Sequence, residues 1–177
     1  MTISALVVSY GSIGRKHAKI LKTKFGIKDL TVCTKKRISK FSTIKKLNGL
    51  KKKPSYIVIA SPTSKHFEQL KFIEKKFKNI KILVEKPLFD KYRKLNVRKN
   101  KIFVGYNLRF HPIIQYLKNK IFKYNFFYLR SECYSYLPNW RKQNYKKVYS
   151  SKKNMGGGVA LDLSHEIDFI NWIFGKI

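Results

Sequence analysis

The sequence predicts an α/β fold built on a parallel sheet, and three observations predict it. Short apolar runs alternate with stretches of helical periodicity. A Gly-rich turn, Gly11-Ser12-Ile13-Gly14, separates the first run from the first helical stretch. A later run, Ile80 to Val84, stops abruptly on Glu85-Lys86-Pro87. Alternation of this kind gives parallel strands joined by right-handed crossovers, and ligands of such sheets bind just outside the carboxyl ends of the strands.

Taken in order, Ile3 to Val8 reads as a fully buried strand closed by Ser9-Tyr10-Gly11, and Ser12 to Phe25 as a helix with Ile13, Ile20 and Leu21 at helical spacing. Asp29 to Thr34 is a second strand and Phe41 to Leu50 a lysine-rich, weakly helical connection. Tyr56 to Ala60 is a third strand, ended by Ser61-Pro62-Thr63, turn and capping residues. Ser64 to Phe77 carries a one-sided stripe of Phe67, Leu70, Phe72, Ile73 and Phe77 suited to covering a sheet. Strands Ile80 to Val84 and Ile102 to Tyr106 follow, then a helix from His111 to Asn119. From Phe126 the texture turns to aromatic-rich extended residues as far as Tyr136, followed by a polar loop and a Gly156-Gly157-Gly158 hinge. Val159 to Phe174 reads as one apolar helix. The change of texture predicts two domains, 1–120 and 121–177.

The 177 residues carry 40 Lys+Arg against 9 Asp+Glu, a net charge of +31, which ordinarily ranks nucleic acid first among partners. Only seven of the basic residues are arginine, whereas specific nucleic-acid surfaces favour arginine forks, and no recognisable nucleic-acid module is present. A solvated lysine coat is the simpler account, so nucleic acid is not expected as a partner. Cys33 and Cys133 have neither disulfide-framework nor metal-site spacing, so no metal is expected and a reducing cytoplasm fits best. No apolar run approaches the roughly 20 residues that span a bilayer, and no signal peptide is expected.

A dinucleotide fingerprint needs glycines so that the backbone can turn and approach a pyrophosphate held at a helix N-terminus. Gly11, Ser12, Ile13 and Gly14 supply the later positions of such a fingerprint, while Ser9 stands where its first glycine belongs. About 20 residues further on, where an acid would receive a ribose hydroxyl, stand Thr34, Lys35, Lys36 and Arg37. With no carboxylate there to repel a 2′-phosphate, NADP is favoured over NAD, and NAD is the alternative. Ser61, Pro62, Thr63 and His66 would flank the cofactor, as would Glu85. Asp162 and His165 are three apart and would share a helix face, the arrangement by which a carboxylate orients an imidazole for acid/base work. Asp168, one turn on, could serve the same end.

Taken together and in this order, the motifs resemble the glucose-fructose oxidoreductase and inositol dehydrogenase family (Gfo/Idh/MocA). They are the Gly11–Gly14 turn, Ala60 to His66, Glu85-Lys86-Pro87, Gly105 to Pro112, Trp140-Arg141, and Gly156 to Gly158 with Leu161 to Asp168. The resemblance implies a Rossmann domain followed by a mostly antiparallel α+β domain, and it allows a cis Lys86-Pro87 peptide. By resemblance Lys86 looks like the catalytic lysine, near the nicotinamide and also touching cofactor. His165 looks like the acid/base, Asp162 like the carboxylate that positions substrate, and Trp140 and Arg141 like a pair reaching the nicotinamide from the second domain. The reaction implied is hydride transfer between nicotinamide and a hydroxyl or keto carbon of a sugar, nucleotide sugar or cyclic polyol. Lys86 and His165 would then serve one substrate oxygen.

The family's members are considerably longer than this chain, so the resemblance also implies a C-terminally truncated, incomplete second domain. Two further expectations follow. One is a nucleotide-binding fragment with weak or no catalysis. The other is one piece of a split oxidoreductase completed by a partner chain, or associating as a homo-oligomer through unpaired strand edges between Phe126 and Tyr136.

Overall fold

Every second residue of the first strand is committed to a different layer, and that alternation organises the N-terminal part of the molecule. In the computed structural model, which describes residues 3–121, 123–125, 127–140, 142 and 144–175, β1 (Ser4–Val8) sends Leu6 and Val8 to one face and Ala5 and Val7 to the other. Both faces are buried, as the uninterrupted apolar run requires of a central parallel strand. Helix α1 (Ser12–Thr23) covers the second face with Ala18 and Leu21, and α2 (His66–Lys76) covers the first with Leu70 and Ile73.

β2 (Asp29–Cys33), β3 (Ser42–Ile44), β4 (Tyr56–Ile59), β5 (Lys81–Val84) and β6 (Lys101–Val104) complete a six-stranded, all-parallel sheet in the order β3-β2-β1-β4-β5-β6. This is the doubly wound order, whose reversal between β1 and β4 opens a crevice at the carboxyl ends. β3 was not expected. The lysine-rich segment Phe41 to Leu50 forms this strand and then a 3-10 turn at Leu47–Gly49, not a weak helix, because Ser42 to Ile44 find ladder partners on Thr31 to Cys33. Pairing with an existing edge outweighs a weak local helical preference.

The chain divides into two compact units, Met1–Gly105 and Tyr106–Ile177, whereas the sequence placed the boundary at 120/121. The second unit holds α3 (Pro112–Ile121), a series of 3-10 turns between Leu137 and Met155, α4 (Val159–Asp162) and α5 (Ser164–Phe174). Among its described residues no strand forms. The expected extended stretch after Phe126 exposes Phe127, Tyr128, Tyr134 and Tyr136 almost entirely, and a strand exists only by pairing its backbone with another. Phe126 itself lies outside the described residues. The expected single helix over Val159 to Phe174 is two, broken at Leu163 (φ −95°, ψ 25°). Gly156 to Gly158 is a packed turn, not a hinge: a Cβ on Gly157 would stand 2.2 Å from the Tyr149 carbonyl oxygen.

Candidate active site

Strand register brings the N-terminal motifs to one edge. Val8 of β1 pairs with Ile59 of β4, and Ile59 with Val84 of β5. The Gly11–Gly14 turn, the Ser61 loop and Glu85-Lys86-Pro87 therefore leave three adjacent strands at the same level. On the other side of β1, Val8 pairs with Cys33, so Thr34 leaves at that level too.

Gly11 is the N-cap of α1, and a Cβ on it would meet nothing within 4 Å. Ser12 and Ile13 begin the helix and are exposed there. Gly14 is buried, and a Cβ on it would stand 2.2 Å from the Ser9 carbonyl oxygen, so only glycine lets α1 seat this closely on the turn. One glycine thus faces open space and the other enables close packing, the division of labour of a pyrophosphate-binding turn. Ser9 takes φ +81°, the left-handed region that a first glycine would adopt without strain.

Beyond β2, the Thr34 N–H donates to Ile44 at 2.8 Å, and Thr34 Oγ1 accepts from the Lys36 N–H at 3.1 Å. Lys35, Lys36 and Arg37 are exposed on this turn. Beyond β4, Ser61 Oγ donates to Gln69 Oε1 at 2.6 Å, Pro62 opens a 3-10 turn over Thr63–Lys65, and Thr63 is buried.

His66 was read as flanking a cofactor, but its ring is fully buried. Its Nε2 lies 2.9 Å from the Ser61 carbonyl oxygen and its Nδ1 3.2 Å from those of Pro87 and Leu88. A ring enclosed in this way ties loops together and is closed to solvent.

The Lys86-Pro87 peptide is cis. Lys86 is half-buried at the end of β5, and Glu85 beside it accepts a hydrogen bond from His17 Nε2 of α1 at 2.5 Å. His17 was not anticipated. Its signal was a histidine one turn beyond Gly14, flanking the buried stripe of Gly14, Ala18 and Leu21.

In the second unit, the Asp162 carboxylate is buried. Oδ1 accepts from the Tyr149 and Ser150 hydroxyls at 3.2 Å each, and Oδ2 from the Gly158 N–H at 3.3 Å. Because the helix breaks at Leu163, Asp162 and His165 sit on different helices and the expected shared face does not exist. His165, on the first turn of α5, packs edge-on against the Tyr106 ring at 5.7 Å. Burial is the main cause that raises the Tyr106 phenol above its usual range.

Asp168 faces Arg109. It accepts a two-pronged ion pair from Arg109, Nε to Oδ2 at 2.7 Å and a terminal nitrogen to Oδ1 at 2.5 Å. That carboxylate raises the guanidinium pKa further. The Trp140 indole N–H donates to Ser135 Oγ, and its ring is 38% exposed, open enough to meet a ligand. Arg141 lies outside the described residues.

Among the described residues no helix is long and apolar enough to cross a membrane. The family model for the Gfo/Idh/MocA oxidoreductases, NAD-binding Rossmann fold, matches residues 3–100. No curated protein matches the chain in sequence. Among solved structures, the chain resembles a WlbA (WbpB) dehydrogenase from Thermus thermophilus in complex with NAD and α-ketoglutarate. Identity is 18% and the TM-score 0.74, over 98% of this chain and 63% of that one. A WlbA dehydrogenase from Bordetella pertussis, in complex with NADH and UDP-GlcNAcA, is similar at 15% identity and TM-score 0.71, over 99% and 59%. A myo-inositol 2-dehydrogenase from Lactobacillus plantarum is similar at 16% and 0.69, over 98% and 56%. At these identities the likeness speaks for the fold, and the chain spans under two thirds of each neighbour's length.

Proposed function

The chain belongs to the Gfo/Idh/MocA oxidoreductase family, and from that premise we propose that it acts as an NAD(P)-dependent oxidoreductase. Hydride passes between nicotinamide and a hydroxyl-bearing or keto carbon of a sugar, nucleotide sugar or cyclic polyol. The observation that carries this reading is the shared level of the Gly11–Gly14 turn and the Lys86-Pro87 turn, at the ends of β1 and β5, which flank β4 in the sheet. A pyrophosphate received at the N-terminus of α1 directs the rest of a dinucleotide along that edge.

In this proposal Lys86 hydrogen-bonds the substrate oxygen as charge develops on it, and His165 takes or returns the hydroxyl proton. Asp162 orients substrate from the end of α4, held there by hydrogen bonds from Tyr149, Ser150 and the Gly158 N–H. The cofactor supplies the hydride chemistry when bound. Preference for NADP belongs to the same proposal: exposed Lys35, Lys36 and Arg37 follow β2 with no carboxylate beside them, and a 2′-phosphate is the ribose substituent such a turn favours. A nucleotide sugar is supported by the UDP-sugar-bound neighbours, a polyol by the inositol dehydrogenase.

The test is nicotinamide absorbance with UDP-linked sugar acids and myo-inositol as substrates, for the chain and for Lys86→Ala. Turnover that Lys86→Ala abolishes while NADH or NADPH still binds is expected. Turnover unchanged in Lys86→Ala removes the lysine from the mechanism, and saturable cofactor binding without turnover of any substrate favours a binding role.

A further inference from the structure

We propose that His17 and His66 are positioning residues that clamp the Lys86 turn from the two opposite helical layers of the sheet. The inference rests on the role given to Lys86 above, and deepens it. His17 reaches the turn from α1, whose buried residues pack with Ala5, Val7 and Val58 on one face of the sheet. His66 reaches it from α2, whose Leu70 and Ile73 pack with Leu6, Val8 and Ile59 on the other.

Between them lie four consecutive residues. Glu85 is bound through its carboxylate to His17, and Pro87 and Leu88 through their carbonyl oxygens to His66, so residues on both sides of Lys86 are tied. The His66 ring also reaches Ser61, in the loop after β4, joining the strand-end loops of the neighbouring strands β4 and β5. All the partners of the His66 ring are acceptors, so a neutral ring donates to one side at a time and a doubly protonated ring to both. The clamped residues lie just beyond the strand, since β5 ends at Val84.

The Glu85 N–H still donates to the Ile59 carbonyl oxygen at 2.9 Å, but the turn beyond it has left the strand ladder, and the two histidines narrow the orientations it can sample and with them the direction of the Lys86 side chain. The clamp also has a mechanical consequence. His17 stands on the helix whose N-terminus would receive the pyrophosphate, so seating the dinucleotide and aiming the lysine share one rigid element.

Two readouts test this on the full chain. The first is amide hydrogen exchange over residues 85–89 in His17→Ala and His66→Asn. The second compares affinity for NADH with affinity for ADP-ribose, which carries the pyrophosphate and adenosine but no nicotinamide. Loss of a hydrogen bond to a charged group predicts about tenfold faster exchange at the turn in His17→Ala, with the rest of the sheet unchanged. NADH affinity falls about fivefold while ADP-ribose affinity stays within about twofold, and His17→Gln, which keeps a donor toward Glu85, restores most of the difference.

Unchanged exchange at the turn in both variants overturns the clamp. Equal losses for NADH and ADP-ribose overturn a positioning role and leave only a structural one. Lys86→Ala separates the premise from the inference. If it leaves turnover unmoved, the role assigned to Lys86 fails, and with it the purpose of the clamp, whereas the exchange result still decides whether the clamp exists.

Discussion

Replacing Gly11 by aspartate should move stability and binding in opposite directions, and the structure says why. Gly11 has φ −74° and ψ −168°, a backbone conformation open to any residue, and a Cβ there meets nothing within 4 Å. It is the N-cap of α1, which has no side-chain cap and no acid in its first turn. An aspartate caps a helix better than glycine by a few tenths of a kcal/mol and interacts favourably with the helix N-terminus, so the thermal midpoint should hold or rise slightly.

The same carboxylate would project into the space a pyrophosphate must enter. At an effective dielectric of about 20, each phosphate charge about 5 Å away costs about 3 kcal/mol, more than a hundredfold in affinity. Gly11→Asn is the control, since it caps equally and has nearly the same size but no charge. The assay is nicotinamide fluorescence with NADH and NADPH at about 0.15 M salt, where the Debye length is about 8 Å and the general attraction of so basic a chain for anions is damped. Binding in Gly11→Asp within about threefold of the parent would place the pyrophosphate elsewhere and refute the argument. So would equal losses in the aspartate and asparagine variants, because bulk and not charge would then be at work.

Other expectations follow from the same geometry. Gly14→Ala should destabilise the N-terminal unit by about 2 kcal/mol or more by driving a methyl into the Ser9 carbonyl, read as a lower urea midpoint. Ser9→Gly should raise stability by about 1 kcal/mol, since it relieves a left-handed serine, and an unchanged midpoint would show the turn bears no strain. Burial alone would raise the Glu74 pKa, but hydrogen bonds from Asn100 and from the Arg98 and Lys99 N–H groups, with the Lys99 charge, outweigh it and bring it below the usual carboxylate range. Its stabilisation is therefore full above about pH 4.3 and lost as pH falls through the lower folded-state value. Glu74→Gln, whose amide would face the Asn100 amide donor, should cost about 2 kcal/mol at neutral pH and remove that part of the acid transition. Arg109→Lys should loosen α5 against the turn at Asn107–Phe110, read as faster amide exchange in α5, because an ammonium cannot span both Asp168 oxygens.

What the sequence made legible follows the reach of its signals. Five of the six strands were read to within a residue or two because each carries a short apolar run, which in β1 and β4 is buried on both faces. β3 was missed because three residues show no periodicity, and only the waiting edge of β2 makes Ser42 to Ile44 a strand. The break at Leu163 was missed for the opposite reason. Val159 to Phe174 has an apolar helical pattern throughout, and the interruption falls beside the buried Asp162 carboxylate, which bonds back to the Tyr149 and Ser150 hydroxyls, 13 and 12 residues away, contacts that no local pattern encodes.

The candidate site divides along the same line. Gly11, Gly14 and Lys86 announce themselves through residue type and spacing, since a turn before a helix and a lysine after a strand are local facts. Glu85 and His66 were noticed as cofactor-flanking residues, and the structure also ties each to the protein, Glu85 through Oε1 to His17 and His66 through its ring to Ser61, Pro87 and Leu88. The partner that explains Glu85 is His17, 68 residues away, and the two meet only because β1 and β5 flank β4. Sequence motifs in this chain therefore identify the residues at the strand ends better than the contacts that hold them in place. Support for a site is carried by strand order, and strand order is the part of the fold that a linear pattern states least directly.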